Sequence, residues 1–329
     1  MALVSSRFNV QRWLLLGAIV LGLSGCAKLE VPAHLKPLSR DAMMLLGAKK
    51  MQSHAPIFIR IFKEESELEV WKQRPDGRFH HFKTYPICTW SGALGPKLKE
   101  GDKQAPEGFY TVNRHRMNPA SSYHLAFNLG YPNAFDRAHG RTGKFLMVHG
   151  RCTSAGCYAM TDPLIEEIYA LAREAFIGGQ TAFAVHAFPF RMTPANMARH
   201  AKSKHMPFWS TLKPAYDLFE RNRIPPPVAI CERRYVVNAK SDRRLDPRGR
   251  CPRFETPVVT PYYSKAPEKR VVAPGPRKRT QLAGTRQAPG AATSPFSGYG
   301  LLRPFTQRLP STGANKPAFS PEKFFSGRD

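Results

Sequence analysis

Seven short apolar runs, separated by turn-forming residues, constrain the fold of this chain more than any other feature. Each run has the length and the Val, Ile, Phe and Tyr content of a β-strand, and segments such as PDG (75–77) and GYPN (130–133) between them are typical of turns. We therefore predict an antiparallel, strand-dominated core. The predicted strands cover residues 57–62, 67–72, 78–87, 108–112, 123–129, 144–149 and 181–188.

Three stretches with apolar residues at helical spacing accompany these strands. The first (39–52) begins behind Ser39 as a cap candidate, and the second begins with Asp162 as N-cap and Pro163 at the first helical position. The third (207–223) is followed by a run of three prolines, which stops a helix. The expected fold class is therefore mainly β with flanking helices (α+β).

The N-terminus has the pattern of a secretory signal. Arg7 and Arg12 precede an apolar run (13–23), and small residues follow it. The run is shorter than the roughly 20 residues that a membrane-spanning helix requires, so we favour a signal peptide over a permanent anchor. The protein is then expected to be exported.

The end of this segment, LSGC (23–26), resembles a bacterial lipobox, in which the cysteine becomes the lipidated first residue of the mature protein. On this interpretation residues 1–25 are removed, and Cys26 anchors the protein to a membrane through its acyl chains. Ala27, rather than aspartate, follows the cysteine, which in the Gram-negative sorting pattern indicates the periplasmic side of the outer membrane. An ordinary signal peptide with an incidental cysteine is the alternative.

The chain is strongly basic, with a formal net charge of +26 from 50 Lys and Arg against 24 Asp and Glu. Residues 232–329 hold 20 of those basic residues, 7 acidic residues and 13 prolines, so we predict a largely disordered tail. An exported protein does not meet nucleic acid. The basic tail is therefore expected either to contact anionic envelope surfaces or to remain a solvated segment without a partner.

One loop gathers potentially reactive side chains, because MVHGRCTSAGCYAM (147–160) contains His149, Cys152 and Cys157. A zinc site built from these residues and His186 is disfavoured, since the chain has no paired CxxC spacing. A cysteine nucleophile fits better, because a thiolate needs a neighbouring imidazole as base and amide donors for the oxyanion. We also expect the start of the following helix to favour the thiolate.

The cysteine count bears on this choice. If Cys26 is lipidated, five cysteines remain, and an odd number leaves one thiol free in an oxidising compartment. We favour a bridge between Cys231 and Cys251, which bracket a short basic loop. A reversible disulfide between Cys152 and Cys157 is a further hypothesis, because the two are close in sequence.

The segment SAGCYAM (154–160) resembles the S/T-x-G-C signature of the L,D-transpeptidase (YkuD-type) catalytic domain, with the preceding HG as its histidine motif. Residues 95–112 resemble the glycine- and proline-marked segment of that domain, and residues 131–160 with 185–193 resemble its YafK-like branch. The similarity covers about residues 55–200. It implies a YkuD-like β-sandwich core.

The resemblance also implies roles for individual residues. Cys157 is expected to be the nucleophile and His149 its general base, while the Gly150 carbonyl orients the imidazole. Gly156 and the Cys157 amide are expected to form the oxyanion region. Ser154 fits the hydroxyl position of the signature, and a simple turn hydroxyl is the alternative. The expected substrate-groove residues are Ser154, Arg141 and Tyr131.

Together with the N-terminal pattern and the composition of the tail, the resemblance divides the chain into four parts: a lipoprotein signal peptide (1–25), a tether with a short helix (26–54), a catalytic domain with a helical extension (55–231) and the basic tail (232–329). The resemblance implies the catalytic function. It implies a cysteine L,D-transpeptidase that acts on the meso-diaminopimelate of peptidoglycan stem peptides, for cross-linking or protein attachment. The alternatives are an amidase or hydrolase of the same bond that releases a wall-linked lipoprotein, and a non-catalytic peptidoglycan-binding lipoprotein. Neither a metal nor an organic cofactor is expected.

Overall fold

The computed structural model describes residues 30–238, 245–252 and 272–274. The predicted signal peptide, Cys26 and most of the predicted tail lie outside these residues. In the part of the chain that is described, no helix is both long and apolar enough to cross a membrane.

The described residues form twelve strands. Ten of them build two five-stranded sheets, and the last two form a separate hairpin. The strands are β1 (Ile57–Phe62), β2 (Glu67–Gln73), β3 (Phe79–Pro86), β4 (Thr89–Trp90), β5 (Gly108–Asn113), β6 (Met117–Ser121), β7 (His124–Asn128), β8 (Met147–His149), β9 (Tyr158–Ala159), β10 (Ala182–Phe188), β11 (Val228–Cys231) and β12 (Arg234–Val237).

Both sheets are mixed rather than purely antiparallel. The first has the strand order β3, β2, β1, β10, β5, and the second has the order β4, β9, β8, β7, β6. The prediction of an antiparallel core is wrong for two pairs, because β1 runs parallel to β10 and β8 runs parallel to β9. The predicted α+β fold class is confirmed.

The strand boundaries near the reactive loop differ from the prediction for a local reason. The predicted strand at 144–149 shortens to β8, because Gly143 and Phe145 have φ angles of 124° and 57°, which a strand excludes. Strands β4 and β9 have two residues each, too few for an alternating pattern to appear. Strand β6 contains Pro119 and lies at the edge of its sheet, where proline is tolerated.

Helices flank the sheets. The predicted Ser39 cap is confirmed, since its hydroxyl oxygen accepts a hydrogen bond from the Ala42 amide at 3.1 Å. The predicted Asp162 cap is wrong, because Thr161 occupies the N-cap position and Asp162 is the first helical residue. The α-helices of the described residues are α1 (Arg40–Ala48), α2 (Ala134–Ala138), α3 (Asp162–Ile177), α4 (Pro194–Arg199) and α5 (Met206–Asn222).

The main core lies where the two sheets and α3 meet. A single apolar cluster joins Ile59 of the first sheet, Phe127 of the second sheet and Ile168 of α3. Alternate residues of β1 face the other side, where Phe62 packs in a second cluster with Trp209 of α5. The first sheet is therefore covered on both faces. The reactive loop belongs to the second sheet, where it joins β8 to β9.

The β11–β12 hairpin follows α5. The predicted Cys231–Cys251 bridge is present, with a Cα–Cα distance of 5.2 Å. The boundary predicted at residue 231 falls inside this hairpin, because β11 ends at Cys231 and pairs with β12. Further along the chain, the Ala273 amide donates to the Thr84 carbonyl of β3 at 2.7 Å.

Candidate active site

The parallel pairing of β8 with β9 brings His149 and Cys157 to one side of the second sheet. His149 pairs with Ala159, so the same register sets Cys157 opposite Met147. Side chains two positions apart on a strand share a face, and therefore the imidazole and the thiol point to the same side. The Met147 amide donates to the Cys157 sulfur at 3.4 Å, which fixes the thiol against β8.

Both side chains line a groove of about 410 Å³. Its walls include Tyr123 from the turn between β6 and β7, Phe145 from the segment before β8, and Ser154 from the loop itself. Openings of this size hold small ligands or short peptide segments. The two residues that the sequence analysis assigned to catalysis thus share one groove.

His149 is held by its own chain neighbour. Its Nδ1 atom lies 2.6 Å from the Gly150 carbonyl oxygen. A carbonyl only accepts hydrogen bonds, so Nδ1 carries the proton and Nε2 keeps a free lone pair. The Tyr123 ring lies 4.6 Å from the imidazole, measured between ring centroids. Burial lowers the pKa of His149, although the Gly150 contact partly opposes it, so the ring is neutral at pH 7 and suited to accept a proton.

Cys157 is the free thiol among the described cysteines. Burial raises its pKa above the ordinary thiol value, while the Met147 amide and the charge of Lys97 lower it to a smaller extent. Desolvation is the largest influence on this thiol, and the expectation that the start of α3 favours the thiolate stays a prediction. At pH 7 the thiol therefore keeps its proton, and the imidazole in the same groove is neutral.

One disulfide bears on the other interpretations of the loop. Cys152 is bonded to Cys88, with a Cα–Cα distance of 5.3 Å, so the hypothesis of a Cys152–Cys157 bridge is wrong. The zinc alternative fails for the same reason, because Cys152 has no thiolate to offer and His186 lines a different cleft. Among the described residues, no group of three or more His, Cys, Asp or Glu side chains is placed to hold a metal ion.

Gly150 is required by a close approach of two neighbours. A Cβ atom at this position would lie 2.5 Å from the Asp162 Oδ1 atom and 3.0 Å from the Tyr123 carbonyl oxygen. The same carboxylate oxygen accepts a hydrogen bond from the Arg151 amide at 2.7 Å. Asp162 thus fixes the turn that leaves β8, and this turn aims the Gly150 carbonyl at His149.

The turn before Cys157 contains Gly156, predicted for the oxyanion region, and Ser154, predicted as the hydroxyl of the signature. Gly156 has a φ angle of 131°, which favours glycine, and a Cβ there would lie 3.2 Å from Leu146. The Gly156 amide donates to Ser154 Oγ at 3.2 Å, and the Ser154 hydroxyl donates to the Cys157 carbonyl at 2.7 Å. Ser154 therefore acts as a turn hydroxyl. The Gly156 amide is therefore occupied by Ser154, and the oxyanion role of the Cys157 amide stays a prediction.

The structure places neither Tyr131 nor Arg141, the two further residues predicted to bind substrate, in the lining of the groove. The Tyr131 ring is buried, and its hydroxyl donates to the Lys97 carbonyl at 3.2 Å. Arg141 donates to the buried carboxylate of Asp136 at 2.8 Å, and its guanidinium lies over the Phe135 ring. An arginine that neutralises a buried carboxylate is not available to a substrate carboxylate.

A charge pair near the thiol was not predicted from the sequence. Lys97 is 3% exposed, and its ammonium contacts the Asp102 carboxylate and donates to the Lys99 carbonyl at 3.0 Å. Burial raises the pKa of Asp102, but hydrogen bonds from Lys97 and from backbone amides outweigh it and lower the value to about 2. The positive charge of Lys97 favours the thiolate of Cys157. Both residues lie in segment 95–112, and the resemblance of this segment to the family is the sequence signal that could have pointed to them.

A free thiol and a carbonyl-anchored imidazole in one groove of an α+β domain form the arrangement used for acyl transfer through cysteine. The family model of the L,D-transpeptidase catalytic domain (YkuD) matches residues 59–180. Over 190 residues the chain is 47% identical to "Putative L,D-transpeptidase YafK" of Escherichia coli strain K12 and, equally, of strain O157:H7, covering 58% of this chain and 77% of each relative. The chain belongs to the YkuD family of L,D-transpeptidase catalytic domains, whose activity is directed at peptidoglycan.

A solved structure with a more distant similarity is the helical cell shape determining protein Pgp2 from Campylobacter jejuni. It is 22% identical, with a TM-score of 0.34, and the match covers 54% of this chain and 62% of that structure.

Proposed function

We propose that this protein is an exported cysteine L,D-transpeptidase that acts on the meso-diaminopimelate residue of peptidoglycan stem peptides. One observation carries the proposal: the Gly150 carbonyl fixes the His149 tautomer so that Nε2 is a base, in the same groove as the free Cys157 thiol. The resting site therefore holds a nucleophile and a base in complementary protonation states.

The acylation step follows from this arrangement. The Cys157 sulfur attacks the carbonyl carbon at the L-centre of diaminopimelate, and His149 Nε2 takes the thiol proton. The Cys157 amide stabilises the oxyanion. The amide bond then breaks, its amine leaves with the proton from His149, and a thioester to Cys157 remains.

The second step decides between transferase and hydrolase. An acceptor amine that attacks the thioester gives a cross-link or attaches a protein, whereas water gives a free carboxylate. The choice depends on whether water or amine reaches the acyl-enzyme. The alternative function, an amidase that releases a wall-linked lipoprotein, uses the same residues. The amine that leaves on acylation is then that of the lipoprotein, and water is the acceptor that hydrolyses the thioester.

The location and partners are part of the proposal. A lipid-modified Cys26 would hold the protein to the outer membrane on its periplasmic side, and the basic tail (232–329) would contact anionic envelope surfaces. Substrates would be stem peptides and a wall-linked lipoprotein.

The test is product analysis after incubation with tetrapeptide muropeptides and with lipoprotein-bearing sacculi. We expect a new amide bond in the wild-type protein and none in Cys157→Ala. Release of lipoprotein or muropeptide without any new amide bond would replace the transferase by the amidase. Equal activity in Cys157→Ala would overturn the enzymatic proposal in favour of the non-catalytic binding protein.

A further inference from the structure

A second cleft, separate from the Cys157 groove, lies along the outer edge of the first sheet. Its volume is about 630 Å³, and it shares no lining residue with that groove. Strand β5 is last in the sheet order and forms one side. The opposite side comes from the three consecutive prolines at 225–227 and the hairpin residue Tyr235.

Where β5 borders the cleft, side chains from other parts of the chain bond to the outer edge of this strand. The Asn133 amide nitrogen donates to the Phe109 carbonyl of β5 at 2.8 Å. Arg116 Nη1 contacts the Thr111 carbonyl of the same strand and donates to the Leu129 carbonyl at 3.1 Å. These bonds occupy two carbonyls of β5, those of Phe109 and Thr111.

The charged side chains that line the cleft, among the described residues, are positive. Arg116 and Arg137 both line it, and no Asp or Glu is among the described residues that do so. The Arg116 bonds named above use one of its terminal nitrogens, Nη1. Burial lowers the pKa of Arg116, and the positive charge of Arg137 lowers it further.

The Arg116 guanidinium occupies the space that a side chain at Gly130 would take. Its φ angle is 82°, and a Cβ atom there would lie 1.7 Å from Arg116 Nη1 and 2.2 Å from its central carbon. Any other residue at 130 would therefore displace the guanidinium from the cleft.

A buried imidazole at the cleft wall supplies a second observation. His186 is 3% exposed and lines the cleft, and its Nδ1 atom has no hydrogen-bond partner among the described residues. The rings of Phe58 and Phe109 enclose it at centroid distances of 4.8 Å and 4.6 Å. A buried polar atom without a partner is costly, so a ligand atom or an ordered water is expected beside it.

The volume of the cleft indicates the size of the ligand that it can hold. A lone inorganic anion would fill little of 630 Å³, whereas cavities of roughly 300–1,000 Å³ bury ligands of drug or peptide size. Phe109, Tyr235 and the proline wall offer apolar contact, and the two guanidinium groups offer forked donors for a carboxylate. The ligand must therefore combine an apolar body with one carboxylate.

We propose that this cleft binds a short peptide through its C-terminal carboxylate, which lies between Arg116 and Arg137. The backbone and side chains of the peptide pack on the aromatic and proline walls, and His186 Nδ1 faces the bound segment. This site is independent of the chemistry at Cys157.

The test is calorimetric titration of the full-length Cys157→Ala protein, in which no acyl-enzyme forms, with acetyl-trialanine and with its C-terminal amide. We expect the free acid to bind and the amide to bind about tenfold more weakly, since a hydrogen-bonded charge is lost. Arg116→Gln and the surface variant Arg137→Gln are each expected to weaken binding of the acid to a similar extent. Arg78→Gln, an exposed arginine in the β2–β3 turn, is the matched control and should change nothing.

Equal affinity for acid and amide, no binding of either, or unchanged binding in Arg137→Gln would overturn the proposal. Since the readout is equilibrium binding in a protein without its nucleophile, failure here leaves the proposed function untouched. Failure of the proposed function likewise leaves this result intact.

Discussion

The Cys88–Cys152 disulfide links the reactive loop to the residue that precedes β4. The effect of its removal on the free energy of unfolding can be calculated from the sequence separation of the two cysteines. Cys88→Ser/Cys152→Ser deletes the covalent bond but keeps the backbone bonds of both residues, from the Cys88 amide to the Ala159 carbonyl (2.9 Å) and from the Cys152 amide to the Met160 carbonyl (3.1 Å). Both cysteines are half-buried, so serine adds little desolvation. The loss in stability therefore reports the bridge.

The sequence separation of 64 residues sets the magnitude. Loop-closure entropy for a ring of this size corresponds to about 4 kcal/mol of unfolding free energy. For a domain of this length such a loss lowers the melting temperature by roughly 8–16 °C. The control, Cys231→Ser/Cys251→Ser, removes a bridge with a sequence separation of 20, and its loss corresponds to about 3 kcal/mol.

The assay is thermal and urea unfolding of both double variants beside the wild-type protein, with turnover measured in parallel. Cys152 and Arg151 have φ angles of 52° and 61°, so the turn between His149 and Cys157 is in an uncommon conformation that the bridge helps to hold. We expect the first variant to lose both stability and activity, and the control to lose stability alone. A fall in melting temperature of less than about 2 °C for the first variant, with full activity, would refute the reasoning.

The remaining predictions concern the site itself. Gly150→Ala places a methyl group against Asp162 and Tyr123, so we expect unfolding measurements to show a loss of about 1–3 kcal/mol together with lost turnover; wild-type turnover would contradict the role of the Gly150 carbonyl. Asp162→Ala removes the acceptor of the Arg151 amide and should cost about 1.5–3 kcal/mol, measured by urea unfolding. Alkylation of Cys157 by iodoacetamide should rise with pH to an inflection above about 8.5, because burial raises the pKa of the thiol; an inflection below pH 7 would indicate a thiolate at rest. Turnover needs neutral His149, whose pKa is lowered, so the acid limb of kcat/KM should lie below about pH 6.5.

The sequence predicted the fold class and most strands, because the runs between residues 57 and 188 carry local signals of length, composition and turns. It did not predict strand direction. The parallel pairing of β8 with β9 depends on contacts across the sheet, and β9 has two residues. The N-cap of α3 was misplaced by one residue, since Thr161 and Asp162 are both good caps and Asp162 is used by the Arg151 amide instead.

The site could be predicted as far as it is local. Cys157 and His149 lie in one loop with a recognisable signature, and the Gly150 carbonyl is one residue from the imidazole it contacts. The positions of Tyr131 and Arg141 outside the groove could not be predicted in this way, because a sequence does not show that Asp136 is buried beside Arg141 and already pairs with it. The pairing of Cys152 with Cys88 is set by the approach of two distant segments, which spacing alone does not reveal.

The most direct test of the central claim is the intact mass of the protein after incubation with a diaminopimelate-type tetrapeptide muropeptide. We predict an adduct of the acyl fragment on the wild-type protein, slower adduct formation in His149→Gln, and no adduct in Cys157→Ala. An adduct that persists in Cys157→Ala would contradict the claim that this cysteine is the nucleophile. Absence of any adduct, with lipoprotein-bearing sacculi also unchanged, would contradict the enzymatic account and favour a peptidoglycan-binding protein.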